Sequence, residues 1–175
     1  MSNLRYFIFL FFLVLTISCE TNKIDTDPKP SQFQIETSEI TDSRDGQKYK
    51  IVKIGDQWWM AENLNYYTST GSWYYNNDST KYSKLCGRLY LWKTVMAGQA
   101  SSNTSPSGVK GISPSGWHIP SLSEWIQLDR YLESFELSGD DLKEIGTTNW
   151  PAPNKGTNKA MFNAVPTGTV YNDGK

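Results

Sequence analysis

The stretch from Gly111 to Leu132, GISPSGWHIPSLSEWIQLDRYL, constrains this chain more than any other. Pro114, Gly116 and Pro120 punctuate an irregular approach that neither a regular strand nor a helix crosses. Ser121 then stands three residues before Glu124, the spacing of a capping box at a helix start. Leu122, Trp125, Leu128 and Leu132 follow in steps of three, three and four, with Ile126 beside them. That pattern predicts one buried face of an amphipathic helix, with Trp125 in the core. The rest of the domain must pack against this face. A rigid loop carrying Trp117 and His118 leads into it.

Upstream, Asp45-Gly46 signals a hairpin turn before Lys48–Ile54. In that segment Tyr49 and Ile51 share one phase, while Val52 and Ile54 fall on the other face. The slip predicts either a bulge or a strand buried on both sides near its end. Ile54-Gly55-Asp56 marks a second turn into Gln57–Leu64, so two turns stitch three short antiparallel strands. Trp58 and Trp59 point to opposite faces of the third strand, one inward and one toward the surface. Residues 65–84, rich in Tyr, Ser, Thr and Asn, read as a long loop. Within it Trp73, Tyr74 and Tyr75 suit stacking on a sugar or a protein hot spot, or fold back as lids on the core. A short helix is expected over 90–96 and another strand over Met161–Val165. The fold expected is α+β: short antiparallel strands, one dominant helix and long loops.

The N-terminus reads as an export signal. Arg5 precedes an unbroken apolar run, Tyr6–Leu15, too short to span a bilayer. It ends in LTISC, where Ser18 before Cys19 resembles a lipobox, although Thr16 stands where leucine is usual. Lipidation at Cys19 would anchor the mature chain to an envelope membrane. An ordinary secretory signal cleaved nearby is the alternative. Polar, Pro-containing residues 19–38 then form a tether, and the domain occupies 39–175. The chain has 17 basic and 18 acidic residues. Removing residues 1–18 takes Arg5 and leaves 16 against 18, a net charge of −2. That balance gives no case for nucleic acid as a partner.

With Cys19 lipidated, Cys86 has no intrachain partner; an unmodified Cys19 could instead bridge to it in an oxidising envelope, but Leu85 and Leu89 favour a free, buried Cys86. Cys86 and His118, the single histidine, read as packing positions rather than a nucleophile and its base. Asp140 and Asp141 suit the start of a short helix. With Asn149, Asn154 and Asn158 they could instead offer oxygen ligands to calcium; ordinary turn formation is the other reading. No other cofactor is implied.

GWHIPSLSEW resembles the signature segment of the Fibrobacter succinogenes major paralogous domain. Further landmarks follow in order: DGQKYKIVKIGDQWWMAENLN, YYNND, GRLYLW, LKEIGTTNW and GTNKAMFNAVPTG. The resemblance spans about residues 39–170. It implies a bacterial surface or secreted protein of a family whose function is largely unknown. It implies that Trp59 is the core tryptophan, leaving Trp58 to the surface or a groove, and that Tyr74 and Tyr75 fold back. Such domains often carry a paired cysteine where Ser113 stands, which agrees with an unpaired Cys86. More distantly, the Pro-to-Glu-Trp helix start resembles the C-type-lectin-like fold of formylglycine-generating enzymes. That oxidase chemistry needs paired cysteines for copper, and this domain has Cys86 alone. No acid/base dyad, histidine cluster or phosphate loop is legible either.

The function expected is therefore that of a lipid-anchored envelope protein, of the outer membrane, binding a glycan or a protein partner. Trp58, Trp73, Tyr74 and Tyr75 are its candidate contacts. A relative of formylglycine-generating oxidases and a ligand-free surface module are the alternatives. Finally, Tyr171-Asn172-Asp173-Gly174-Lys175 looks like a hairpin turn without its returning strand, which predicts a domain incomplete at its C-terminus.

Overall fold

A computed structural model describes residues 32–168. The lipobox at Cys19 and the turn expected at 171–175 lie outside them. Three strands form the main sheet: β1 (Glu36–Thr41), β2 (Lys48–Ile54) and β3 (Gln57–Met60), antiparallel in the order β1-β2-β3. The β1–β2 turn closes through Asp42 N to Gln47 O (2.7 Å) and Gly46 N to Asp42 O (2.8 Å), with Gly46 at φ 73°. Asp42 is fully buried and held by Arg44, whose Nη1 also donates to Ile112 O at 2.8 Å. The Arg44 guanidinium keeps the Asp42 carboxyl below its ordinary pKa. This pair therefore ties the first hairpin to the loop ahead of the main helix.

The phase slip in β2 is two-sided burial. Tyr49, Ile51, Val52 and Ile54 are all buried, and the pairing with both neighbours runs without an extra residue. Trp59 is buried at 8% exposure, while Trp58 is half-buried. The strand β1 starts at Glu36, and Phe33 packs against Tyr131 and Phe135, so ordered structure reaches back into the segment read as a tether.

Residues 65–84 are not one long loop. They contain β4 (Ser72–Trp73), a 3₁₀ turn (Tyr75–Asn77) and most of α1 (Ser79–Cys86). Asp78 caps α1 by accepting from Lys81 N at 3.0 Å, and Gly87 at φ 63° ends it. The helix is polar on average and buries only Cys86, which hid it in the sequence. Next, β5 (Leu89–Tyr90) pairs with β4, and α2 covers Trp92–Met96.

The main helix, α3 (Leu122–Glu133), starts at the expected capping box: Ser121 Oγ accepts from Glu124 N, and Glu124 accepts from Ser121 N. Its buried face differs from the one expected. Glu124, Leu128 and Leu132 point inward. Leu122, Trp125 and Ile126 are 64%, 42% and 40% exposed. A polar anchor on Glu124 sets this rotation, and apolar periodicity cannot register a buried carboxylate. Leu128 and Leu132 join Val52, Ile54, Trp59, Ala61 and Ala160 in the core, with Tyr131, Leu142 and Phe162 packed against it.

Met161–Val165 is not a strand. Met161 and Asn163 adopt φ of 57° and 56°, and only Ala164 makes an isolated parallel bridge, to Lys143. Left-handed residues at alternate positions cannot sustain a pleat. Among the described residues no helix is long and apolar enough to cross a membrane.

The rotation of α3 is testable by denaturant unfolding. Leu128→Ala should cost about 2–5 kcal/mol. Leu122→Ala should stay within about 0.5 kcal/mol. Equal losses at the two positions would contradict the observed face.

Candidate functional site

The site grows from the Glu124 carboxylate. Oε2 accepts from Ser121 N (2.9 Å) and Ser107 N (3.1 Å), and Oε1 lies 2.6 Å from His118 Nε2. Burial alone would raise its pKa. The donors at Ser121, His118 and Ser107 outweigh burial and hold the carboxyl below its ordinary value. The same loop is sewn further by Ser107 Oγ donating to Ile119 O (2.5 Å), Val109 N to Ser107 Oγ (3.1 Å) and Ile119 N to Val109 O (2.7 Å). Gly111 lets it pass α2: φ is 48°, and a Cβ there would sit 2.2 Å from Val95 O.

Between this loop and β3 lies a cleft of about 900 Å³. Trp58, Trp59, Trp117, Trp125 and Phe162 contribute aromatic surface. Trp125 packs against Trp59 at 4.5 Å between centroids with the rings tilted by 40°, and Phe162 lies 6.1 Å and 6.3 Å from the two rings. Gln57, Asn63, His118, Gln127 and Asn163 add polar groups. Gln57 Nε2 donates to Glu124 O at 3.2 Å, linking β3 to α3 across one end. Concave, aromatic-walled space with a few convergent polar groups is the usual form of a binding site.

Of the expected contacts, Trp58 lines this cleft and Trp73, Tyr74 and Tyr75 do not. Trp73 is 38% exposed on the separate β4–β5 ribbon. Tyr74 serves Arg88, which lies 4.0 Å over its ring and donates to its hydroxyl at 2.9 Å. Tyr75 packs edge-on against Tyr82 at 5.0 Å. Sequence reasoning misses Trp117, Trp125 and Phe162 as cleft residues. Trp117 and Trp125 flank the His-x-Pro loop, and that adjacency is the available signal.

Cys86 is free and buried, and it lines a second, smaller pocket with Tyr75, Tyr82 and Asn149. Burial, with Glu144 adding to it, pushes its thiol pKa up. It does not share a cavity with His118. The residues that could offer oxygens to calcium hold loops together. Asp140 pairs with Lys143 at 2.6 Å, and Asp141 accepts from Ser138 N and Thr157 Oγ1. Asn149 donates to Glu144, Asn154 to Glu144 O and Gly146 O, and Asn158 Oδ1 accepts from Asn163 N. Among the described residues no group of three or more His, Cys, Asp or Glu is placed to hold a metal ion.

Fold and site together define an α+β domain organised around an aromatic cleft. The chain belongs to the Fibrobacter succinogenes major domain family, whose profile matches residues 52–175. No curated protein and no solved structure matches it.

Glu124→Gln keeps the shape of the anchor but puts an N–H donor where two backbone N–H groups and His118 converge. It should destabilise the domain by about 1–3 kcal/mol. The pH profile carries the sign. A carboxyl with a depressed folded pKa stabilises above its unfolded pKa, about 4.3, and loses that contribution as pH falls through the folded value. Glu124→Gln should flatten this acid limb in chemical denaturation across that window. An unchanged limb would remove Glu124 as its source.

Proposed function

We propose that this chain is a lipid-anchored envelope protein whose domain binds a macromolecular ligand in the aromatic cleft. The supporting observation is the cleft itself: about 900 Å³, walled by Trp58, Trp117, Trp125 and Phe162, with Trp125 left 42% exposed. It is the grouping of these rings along one concave surface with a few polar groups, rather than the exposure of any single indole, that supports binding of a partner there. Aromatic faces of this kind stack on glycan rings and equally form hot spots for protein side chains. The anchor rests on Ser18-Cys19 after the Tyr6–Leu15 run, which would hold the domain at the outer membrane.

Two measurements test the reading. Titrating the full chain with glycan and peptide panels by tryptophan fluorescence should find a ligand that Trp125→Ala weakens by at least about tenfold, roughly 1.4 kcal/mol. A ligand bound equally by Trp125→Ala and Trp58→Ala would place binding outside the cleft. Metabolic labelling with a fatty-acid analogue should tag the wild type and spare Cys19→Ala. Equal labelling would refute the anchor.

A further inference from the structure

The outer edge of β3 has no strand beside it among the described residues. The register shows which backbone groups face that edge. Ala61 N donates to Lys50 O, and the pairing continues as Val52 with Trp59 and Ile54 with Gln57. By the alternation of an antiparallel ladder, Gln57, Trp59 and Ala61 turn their N–H and C=O groups toward β2. Trp58 and Met60 therefore turn theirs outward, and no described residue bonds them.

The cleft follows this edge. All four residues of β3 line it, as do the flanking Asp56 and Ala61–Leu64. Successive side chains of a strand point to opposite faces, so a cleft over one face would meet only alternate residues. Its charge is also one-sided. Asp56, Glu62 and Glu144 line it against Lys84; none of the four takes part in the ion pairs of the described residues, and the carboxylates of Glu62 and Glu144 are held in place by Lys50 N and Asn149 Nδ2 without a cation to neutralise them. The other edge of the sheet differs. On β1, Glu36 and Glu39 face Lys53 and Lys48 as ion pairs in open solvent, the usual guard against strand addition.

Resting on the reading of the cleft as the binding site, we infer that its ligand is an extended, basic polypeptide segment that adds as a strand to the free edge of β3. Trp58 and Met60 supply two N–H donors and two C=O acceptors to the segment's backbone. An apolar side chain of the segment seats on Trp125 and Phe162. Its Lys or Arg side chains meet Asp56, Glu62 and Glu144. An extended peptide repeats donor and acceptor at the spacing this edge presents, and a glycan does not.

The test uses the full chain and short peptides of alternating apolar and basic residues, with acidic counterparts of the same apolar pattern. The basic peptides should bind at least about tenfold more tightly than the acidic ones. Binding should slow hydrogen exchange at the Trp58 and Met60 amides. N-methylating the alternate peptide amides that face β3 should weaken binding by about tenfold or more. Several outcomes would overturn the inference: no peptide in the panel binds, acidic peptides bind as well, N-methylation is harmless, or the Trp58 and Met60 amides are already protected without peptide. A glycan that binds with Trp125 dependence and leaves those amides unchanged would sink the strand reading alone. Peptide binding insensitive to Trp125→Ala and without amide protection would remove the cleft as the site.

Discussion

The structure depends on a carboxylate turned inward. Burying an ionised glutamate costs several kcal/mol unless its oxygens are satisfied, so Glu124 is tolerated only because Ser121 N, Ser107 N and His118 converge on it. Those partners come from the helix cap and from two points of the preceding loop. Satisfying one side chain thus fixes the rotation of α3 and the path of residues 107–121 at once. Trp125 is the next residue, about 100° further round the helix. It is therefore delivered to the flank, over Trp59, rather than into the core. The aromatic wall of the cleft follows from a hydrogen-bonding requirement.

Local chemistry makes much of the fold legible. Asp45-Gly46 and Ile54-Gly55 place both turns of the sheet, and Ser121 with Glu124 places the start of α3. Each is a short-range signal whose partner lies within four residues. The features that escape the sequence depend on partners far along the chain. Trp125 fits an apolar stripe as well as Leu128 does, and the inward turn of Glu124 depends in part on Ser107, 17 residues before it. α1 is the exception: its Asp78 cap on Lys81 N is as local as the Ser121 box, but the helix is polar on average and buries only Cys86, so no apolar stripe announced it. The apolar residues of 161–165 suggest a strand because side-chain character says little about φ.

The candidate site is half legible for the same reason. Strand alternation puts Trp58 and Trp59 on opposite faces, and the family resemblance, which makes Trp59 the core residue, leaves Trp58 to a groove. Trp73, Tyr74 and Tyr75 look equally suited to binding, but a distant arginine, Arg88, claims the Tyr74 ring and hydroxyl. Composition cannot distinguish an aromatic that recognises a ligand from one that satisfies a guanidinium. Trp59 shows a further cost. Its indole N–H is buried with no partner among the described residues, a deficit on the order of 1–3 kcal/mol. The Trp125 and Phe162 rings that cover it supply packing but no acceptor.

Phe162 reaches that group by a route that explains the Asn-rich segment around it. Ala160 is fully buried, and its N–H bonds Asp141 O at 3.0 Å, which pins the chain against the core. Met161 then turns left-handed, Phe162 swings toward Trp59 and Trp125, and Asn163 turns left-handed again. Asn158, itself at φ 49°, accepts from Asn163 N at 2.8 Å and closes the excursion. Ala164 resumes contact with Leu142 and Glu144. Asn tolerates the left-handed region and bonds its own backbone, which an aromatic or branched residue does poorly. Asn158, one of the residues that could offer calcium an oxygen, uses that oxygen here to hold the bent backbone at Asn163 N. The result matches the Glu124 end of the cleft: a half-buried aromatic ring set in the cleft wall, held there by polar groups rather than by apolar periodicity.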